Sequence, residues 1–470
     1  MFLHHRLTIG FVVALAASGP AQADTRTLTE ALAAAYSNNP ALQAARAQLR
    51  SVDENVPQAL AGWRPTVTIT ANAGYNQYTT VRRAYNPLTG YPGDTITNNT
   101  LGTSTQQLNV TQPIWRGGQT RANTNHAENQ VMSQRAQLMA TEEQLFTNVI
   151  SAFVSVIANQ QVLALDVNNE QVLTRQLQAT NDRFRVGELT RTDVAQAEAA
   201  LASATATRQT AEGTLEAARA TYEQLVGEPP GKLVQPQPLR APVNTLEEAK
   251  ALSGRNNPTV IAALFNDAAA KDNFDVQYSK LMPNVSVQGL LIKTKDVSLQ
   301  GNTTKAAEIY AQLSVPLYQG GAEYAAIRQA RQQQQQTHKL IDDARRTAVQ
   351  AVIAAWETYN ASKATIESTR VQIRANQIAL EGTEREAIVG SLTTLDVLNA
   401  EQLLLNSRVT LVQNLASLVN ASYGVAAAAG RLTARDLTLP VPLYDETAYY
   451  AAVKNRWIGT GDYATNQPGR

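Results

Sequence analysis

The sequence predicts an α+β membrane protein made by internal duplication, with four amphipathic strands joined to very long helices. Three observations carry this reading. The landmarks of the first half recur in order in the second, two pairs of segments alternate polar and apolar residues, and two long proline-free stretches carry helical periodicity.

The duplication is visible at the start of each copy. Thr27 to Pro40 reads TLTEALAAAYSNNP and Thr245 to Pro258 reads TLEEAKALSGRNNP, an offset of 218. The same offset aligns Pro65 and Val67 with Pro283 and Val285. Further on the offset falls to 203, aligning Pro113, Gly117 and Gly118 with Pro316, Gly320 and Gly321. Copy one therefore carries an insertion between its two strands. The copies are expected at 24–243 and 244–435, with residues 1–23 as a secretory signal and 436–470 as a tail packed on the outside of the helices.

The signal is read from the weakly basic His4, His5 and Arg6, the apolar run Ile9 to Ala17, and the A-x-A site Ala21-Gln22-Ala23. That run is shorter than the roughly 20 residues a membrane anchor needs. No later segment looks apolar enough for a transmembrane helix. The chain has no cysteine, so packing alone must hold an exported fold, and neither a lipid-bearing cysteine nor thiol chemistry is available. Without Arg6, 39 basic residues face 39 acidic ones, which argues against nucleic acid as a partner.

Each copy opens with a capped helix. Thr27 with Glu30, and Thr245 with Glu248, have capping-box spacing. Asn-Asn-Pro ends that helix and places Pro40 or Pro258 in the first turn of the next, which runs to about Gly62 or Ser279. Strands follow within 65–113 and 283–316. In the first, Val67, Ile69, Ala71, Ala73 and Tyr75 alternate with Thr66, Thr68, Thr70, Asn72 and Asn76. A long loop, about Thr80 to Leu101, is expected in copy one and a shorter one in copy two. The Gly117-Gly118 and Gly320-Gly321 pairs lack any phosphate-loop context and read as strand-to-helix switches.

Long helices are expected from each Gly pair to about Arg185 and Ile388. At 1.5 Å per residue, roughly 67 residues span about 100 Å. Turns holding Gly187 and Gly390 lead into returning helices, giving helix pairs over 117–227 and 320–430. In copy one the seam Val194, Ala197, Leu201, Ala204, Ala211, Leu215, Ala218, Tyr222 and Leu225 is spaced as a heptad, interrupted by Arg208. Copy two keeps Val397, Ala400, Leu404, Leu411 and Leu418. The Gln332–Gln336 run reads as a solvated face.

Four strands cannot close a membrane barrel alone, since bacterial barrels need at least eight, but several chains together can. Thr, Asn, Ser and Gln would then line water, with Val, Ile, Ala, Leu and Tyr toward lipid. Trp63, Trp115 and Tyr318 lie at the strand-to-helix junctions, where an interfacial aromatic girdle belongs. The competing reading is the edge of a soluble sandwich with ordinary core aromatics.

The order of short helix, NNP, helix, strand pair, Gly-Gly, long helix, VG turn, T-x-x-D-V and returning helix resembles the TolC family of outer membrane efflux and secretion proteins. The most specific pieces are WRPTVTI (Trp63 to Ile69), QPIWRGG (Gln112 to Gly118) and VGSLTTLDVLNAEQLLL (Val389 to Leu405). The resemblance implies a homotrimer with one 12-stranded outer membrane barrel continuous with a periplasmic α-helical coiled-coil barrel. It also implies a periplasmic adaptor, an inner-membrane ABC or proton-driven transporter, and outer membrane lipid as partners, with no cofactor. The missing lipid-bearing cysteine is more like the type I secretion branch than the lipid-anchored multidrug branch.

Thr190 with Asp193, and Thr393 with Asp396, fit capping boxes at the predicted periplasmic tip, which is a purely local role. The resemblance adds a second. Family members constrict the tip with aspartate rings in the second repeat; Asp396 matches the first ring, while Asn399 stands where a second aspartate is usual. A ring of three carboxylates attracts cations. The family's tyrosine and arginine gate ties match Ala387 and Leu392, although their acceptors, Thr192 and Asp193, are present. Either Arg185 or Arg191 substitutes, or packing holds the tip.

No catalytic or metal-ligand constellation stands out. His126 and His338 are isolated within the long helices. The reading is therefore a passive exit duct of a tripartite export system for secreted protein, drugs or both, and not an enzyme. The alternative is a periplasmic coiled-coil adaptor or scaffold without a pore.

Overall fold

A computed structural model describes residues 25–85, 87–240, 245–297 and 300–468. The expected signal, 1–23, lies outside the described residues. The described residues begin with a two-residue strand β1 (Thr25–Arg26), then α1 (Leu28–Asn38), α2 (Pro40–Asp53) and α3 (Asn55–Leu60). The strands β2 (Thr66–Tyr85) and β3 (Pro92–Arg116) follow, then α4 (Gln119–Arg185) and α5 (Arg191–Val226). A short β4 (Lys232–Leu233) pairs in parallel with β1. The second copy repeats the order: α6 (Leu246–Asn256), α7 (Pro258–Ser279), β5 (Asn284–Lys295), β6 (Thr303–Ser314), α8 (Ala322–Ile388) and α9 (Thr394–Ala428). A short α10 (Ala448–Val453) lies in the tail.

The local signals act as expected at most boundaries. Thr27 and Glu30 form a reciprocal capping box, and the Thr245 hydroxyl accepts from the Glu248 amide. Asn39 and Asn257 then cap α2 and α7, whose first residue is proline. The helix after Pro40 departs from expectation. It breaks at Glu54, and after α3 the chain closes with a 3-10 turn over Ala61–Trp63 instead of running unbroken to Gly62. Pro57 lies within the second segment and has no N–H to continue the earlier helix.

All four long strands form one antiparallel sheet in the order β2-β3-β5-β6. The register sets Ile69 opposite Leu108, and Leu108 opposite Leu291. A bulge interrupts the β3–β5 pairing between Pro113 and Trp115, where proline cannot donate. The long loop expected from Thr80 to Leu101 is mostly strand: Thr80 pairs with Thr97 and Tyr85 with Pro92. Asn, Asp and Gly signal loops, but in an exposed ladder they still donate and accept through the backbone. Thr79 and Asn98 add a cross-strand side-chain bond of 2.7 Å.

Both Gly pairs turn strand into helix through left-handed backbone: φ is 61° and 85° at Gly117 and Gly118, and 70° and 84° at Gly320 and Gly321. A Cβ on Gly117 would also collide with the Met282 side chain and sit 2.8 Å from the Ser279 carbonyl.

The main core lies partway along α4, several turns beyond the strand-to-helix switch. Leu28, Leu32 and Tyr36 of α1 pack on Phe146, Val149, Phe153 and Val156 of α4, with Leu215 and Tyr222 of α5. An apolar window of α4 is long enough to cross a membrane by composition, contrary to the sequence expectation. This helix supplies much of the core, and 33% of that window is buried. The tail also departs from a purely external position: Leu439 enters the core beside Leu432 and Ala434. Farther along, Tyr444 and Tyr36 flank the buried Arg46 guanidinium, at 5.2 and 4.5 Å from their ring centres.

Candidate constriction turns and their helical supports

The α4–α5 and α8–α9 turns are near copies. Gly187 and Gly390 take φ values of 83° and 80°, the left-handed conformation that favours glycine. Around Gly187, the Gly187 amide donates to the Phe184 carbonyl (3.0 Å) and the Glu188 amide to that of Arg183 (2.9 Å). Around Gly390, the Gly390 amide donates to Ala387 (3.3 Å) and the Ser391 amide to Glu386 (2.9 Å).

The following helix is then locked by a reciprocal cap. The Thr190 amide donates to Asp193 Oδ2 at 2.9 Å, and the Asp193 amide donates to Thr190 Oγ1 at 3.3 Å. Thr393 and Asp396 reproduce both bonds at 2.9 and 3.3 Å. In each pair the threonine hydroxyl also donates to the carboxylate at 2.6 Å. These hydroxyl and amide donors hold the Asp193 and Asp396 carboxyls below the usual carboxylate range. Both are therefore anionic at neutral pH. The capping role is thus real, and it leaves the charge of Asp396 intact.

Asn399 is exposed on α9, and Thr192 is exposed in the first turn of α5. Leu392 is half-buried in the second turn. Among the described residues, no hydrogen bond or ion pair joins one turn to the other. Arg185 is engaged on its own helix, 3.5 Å from Asp182, and Arg183 reaches Glu188 at 3.0 Å. Packing joins the two hairpins instead: Leu398 of α9 clusters with Leu173 of α4 and Ala204 of α5.

Several polar ties along the helices escaped the sequence reading. Arg208, which appeared there only as an interruption of the seam, binds Glu170 of α4 at 2.7 Å, and Thr205 donates to the same carboxylate at 2.7 Å. In copy two, Asn376 of α8 donates to Ser407 of α9 at 2.9 Å, and Asn414 of α9 to Thr369 of α8 at 3.0 Å. Glu401 lies in a cleft of about 280 Å³ between α4, α8 and α9. Burial, reinforced by Glu384, pushes its carboxyl up to about 7. Polar residues at seam positions were the only available signal for these contacts, and one sequence does not reveal which partner each finds.

At the opposite end of the long helices, Trp63, Trp115 and Tyr318 are all exposed at the strand-to-helix junctions. His126 is explained locally, with Nδ1 2.7 Å from the Ala269 carbonyl, and His338 lies 3.6 Å from Asp267. No group of three metal-binding side chains occurs among the described residues.

The profile of the outer membrane efflux protein family matches residues 31–228 and 251–431, one segment in each copy. The chain belongs to this family. The outer membrane efflux protein BepC of Brucella suis biovar 1 (strain 1330) is 35% identical over 93% of this chain and 92% of its own. The outer membrane protein TolC of Escherichia coli (strain K12) is 24% identical over 85% of this chain and 81% of its own. The fold also matches the crystal structure of the outer membrane protein VceC from Vibrio cholerae, with a TM-score of 0.72 at 20% identity, over 86% of this chain and 96% of that one. Membership makes this protein an outer membrane export channel extending into the periplasm, in a family of channels rather than enzymes.

Proposed function

We propose that three copies of this chain close a 12-stranded barrel continuous with a helical tunnel, as the exit duct of a tripartite export system. One observation carries this reading. Among the described residues the four-stranded sheet ends in two unpaired edges, β2 and β6, and is exposed on its faces, with Ile69 78% exposed. In lipid such edges must be paired, and joining β6 of one copy to β2 of the next pairs all of them. Three copies exceed the minimum of about eight strands.

In this arrangement Trp63, Trp115 and Tyr318 form the girdle at the periplasmic side of the membrane. The turns at Gly187 and Gly390 form the distal tip, with three Asp396 carboxylates as its constriction and Asn399 one helical turn inward. Thr192, Asp193 and Leu392 shape the same tip. Within one chain, inter-helix packing at Leu398, Leu173 and Ala204 supports the closed tip, and among the described residues no tyrosine or arginine joins the two turns. A periplasmic adaptor would dock on the helices, and an inner-membrane ABC or proton-driven transporter would supply the energy. The duct itself uses no cofactor.

Planar-bilayer recording in a salt gradient tests the constriction. Asp396→Asn should move the reversal potential toward that of a non-selective pore, because a ring of negative charge is lost. An unchanged reversal potential would remove Asp396 from the constriction.

A further inference from the structure

The C-terminal tail does more than finish the fold. After Tyr444 it leaves the core and runs along α2 and α4 toward the sheet, held at each step. Tyr449 donates to Glu54 at 2.8 Å, and Lys454 and Tyr450 donate to Glu128 at 2.9 and 3.2 Å. The Arg64 guanidinium then donates to the Arg456 carbonyl at 2.6 Å and lies 5.0 Å from the Trp457 ring centre. Arg64 and Pro65 are the two residues between Trp63 and the start of β2, so this contact brings the tail to the strand-to-helix junction.

Beyond this anchor the chain forms a closed loop. Arg456 stacks 3.7 Å from the Tyr463 ring centre, and Gln467 returns to accept from the Asp445 amide at 3.1 Å. At the start of that loop Trp457 is 66% exposed and Ile458 is 90% exposed. A loop fixed at both ends therefore presents an indole and a large aliphatic side chain to the outside. Beside them stand Arg64 and Arg456, whose side chains contact rings and two backbone carbonyls rather than a carboxylate. Asp462 is the acidic residue of the loop and is itself engaged.

We propose that Trp457 and Ile458 insert into the periplasmic leaflet of the outer membrane, with Arg64 and Arg456 at its phospholipid headgroups. This rests on the barrel reading above, which puts the junction at the membrane surface. Two features specify lipid as the occupant. The pair is held by Arg64, the chain neighbour of Trp63 at the approach to β2, and an aromatic-aliphatic tip with cationic neighbours suits an anionic headgroup layer. The tail thereby becomes a membrane anchor carried by side chains, in a chain that has no cysteine for a lipid.

The absence of cysteine also makes the test clean. Ile458→Cys, Ile69→Cys and Val389→Cys, each carrying a nitroxide, are reconstituted as full-length protein in phosphatidylethanolamine–phosphatidylglycerol vesicles. Relaxation by oxygen, which concentrates in lipid, is compared with relaxation by an aqueous nickel chelate. Ile69 on β2 is the lipid control, and Val389 at the distal turn is the water control. Ile458 should be oxygen-dominated like Ile69, with nickel accessibility several-fold below that of Val389. A nickel-dominated Ile458 beside an oxygen-dominated Ile69 would overturn the anchor and leave the barrel standing. An Ile458 label shielded from both agents would mean that protein, such as a second copy of the chain, covers the loop, and would also overturn it. A nickel-dominated Ile69 would fail the barrel reading and the anchor with it. Because Ile458 is so exposed, its substitution leaves the folded contacts in place.

Discussion

The two long outward helices have the same length and opposite surroundings. α4 and α8 are each 67 residues long, and the offset of 203 pairs them position by position. Phe153 of α4 is fully buried and lies 6.2 Å from Tyr222, while its counterpart Trp356 is only half-buried. Ile150 is buried and its counterpart Ile353 is exposed. Farther toward the tip, α8 shows Val371 and Ile378 to the outside, where α4 carries Asn168 and Arg175. The same architecture thus spends one helix on the core of the protomer. It leaves the other with exposed apolar residues, which a neighbouring chain would cover in the proposed threefold assembly.

That contrast can be tested from its strongest end. Phe153→Ala should destabilise the protomer by about 3–5 kcal/mol through loss of buried area and a cavity, whereas Trp356→Ala should cost clearly less. Denaturant unfolding of detergent-solubilised protein compares the two, and equal losses would deny the asymmetry. Ile378→Glu should do the reverse. It should leave the helical content of the chain unchanged and lower trimer yield on the order of tenfold, because a lone charge is buried on assembly. Native gel electrophoresis reads this directly, and normal trimer yield would place Ile378 outside the interface.

The pH response should also weigh on the first copy. Burial pushes Glu143 of α4 up to about 8 and Asp53 of α2 to about 7, while Glu401 of α9 is the second copy's example. A raised carboxyl pKa means the folded state binds protons that the unfolded chain has released. The associated stability is complete below the unfolded pKa and is lost as pH rises through about 7 to 8. Melting temperature should therefore fall from about pH 5 to about pH 9, and Glu143→Gln should flatten the upper part of that fall. A flat wild-type profile would mean that these carboxyls are solvated. The smallest effect should be at the caps. Thr190→Ala and Thr393→Ala should each cost about 1 kcal/mol locally, and hydrogen exchange in the first turns of α5 and α9 should rise by similar factors. Unequal increases would show that the matching geometry hides different loads.

The repeat, the capping boxes and the long helix ends were all legible in sequence because each is set by short-range chemistry. A threonine three residues before a carboxylate specifies its own bond, and a missing proline lets a helix run on. The extent of the β2–β3 hairpin is hidden in sequence for the same reason. Its loop-forming residues report local preference, but here the ladder overrides them. The Glu170–Arg208 tie, the Glu401 cleft and the path of the tail along α2 and α4 were not legible. Each joins side chains far apart in sequence, and heptad spacing gives the face of a helix without naming its partner. The charge of Asp396 could be anticipated, whereas its reinforcement by the Thr393 hydroxyl required coordinates.

The matched hairpins have a consequence for stoichiometry. α5 and α9 are 36 and 35 residues long, and both turns carry the same glycine and the same threonine–aspartate lock. A threefold assembly would therefore present its periplasmic collaborators with six fingertips of nearly equal reach. A collaborator that grips only the shared backbone and cap would find a pseudo-sixfold rim and could load six copies. One that reads Glu188 against Ser391, or Arg191 against Thr394, would find three seats of one kind and three of another. Gene duplication would then have doubled the number of handles, and later divergence at a few tip residues would decide how many are used.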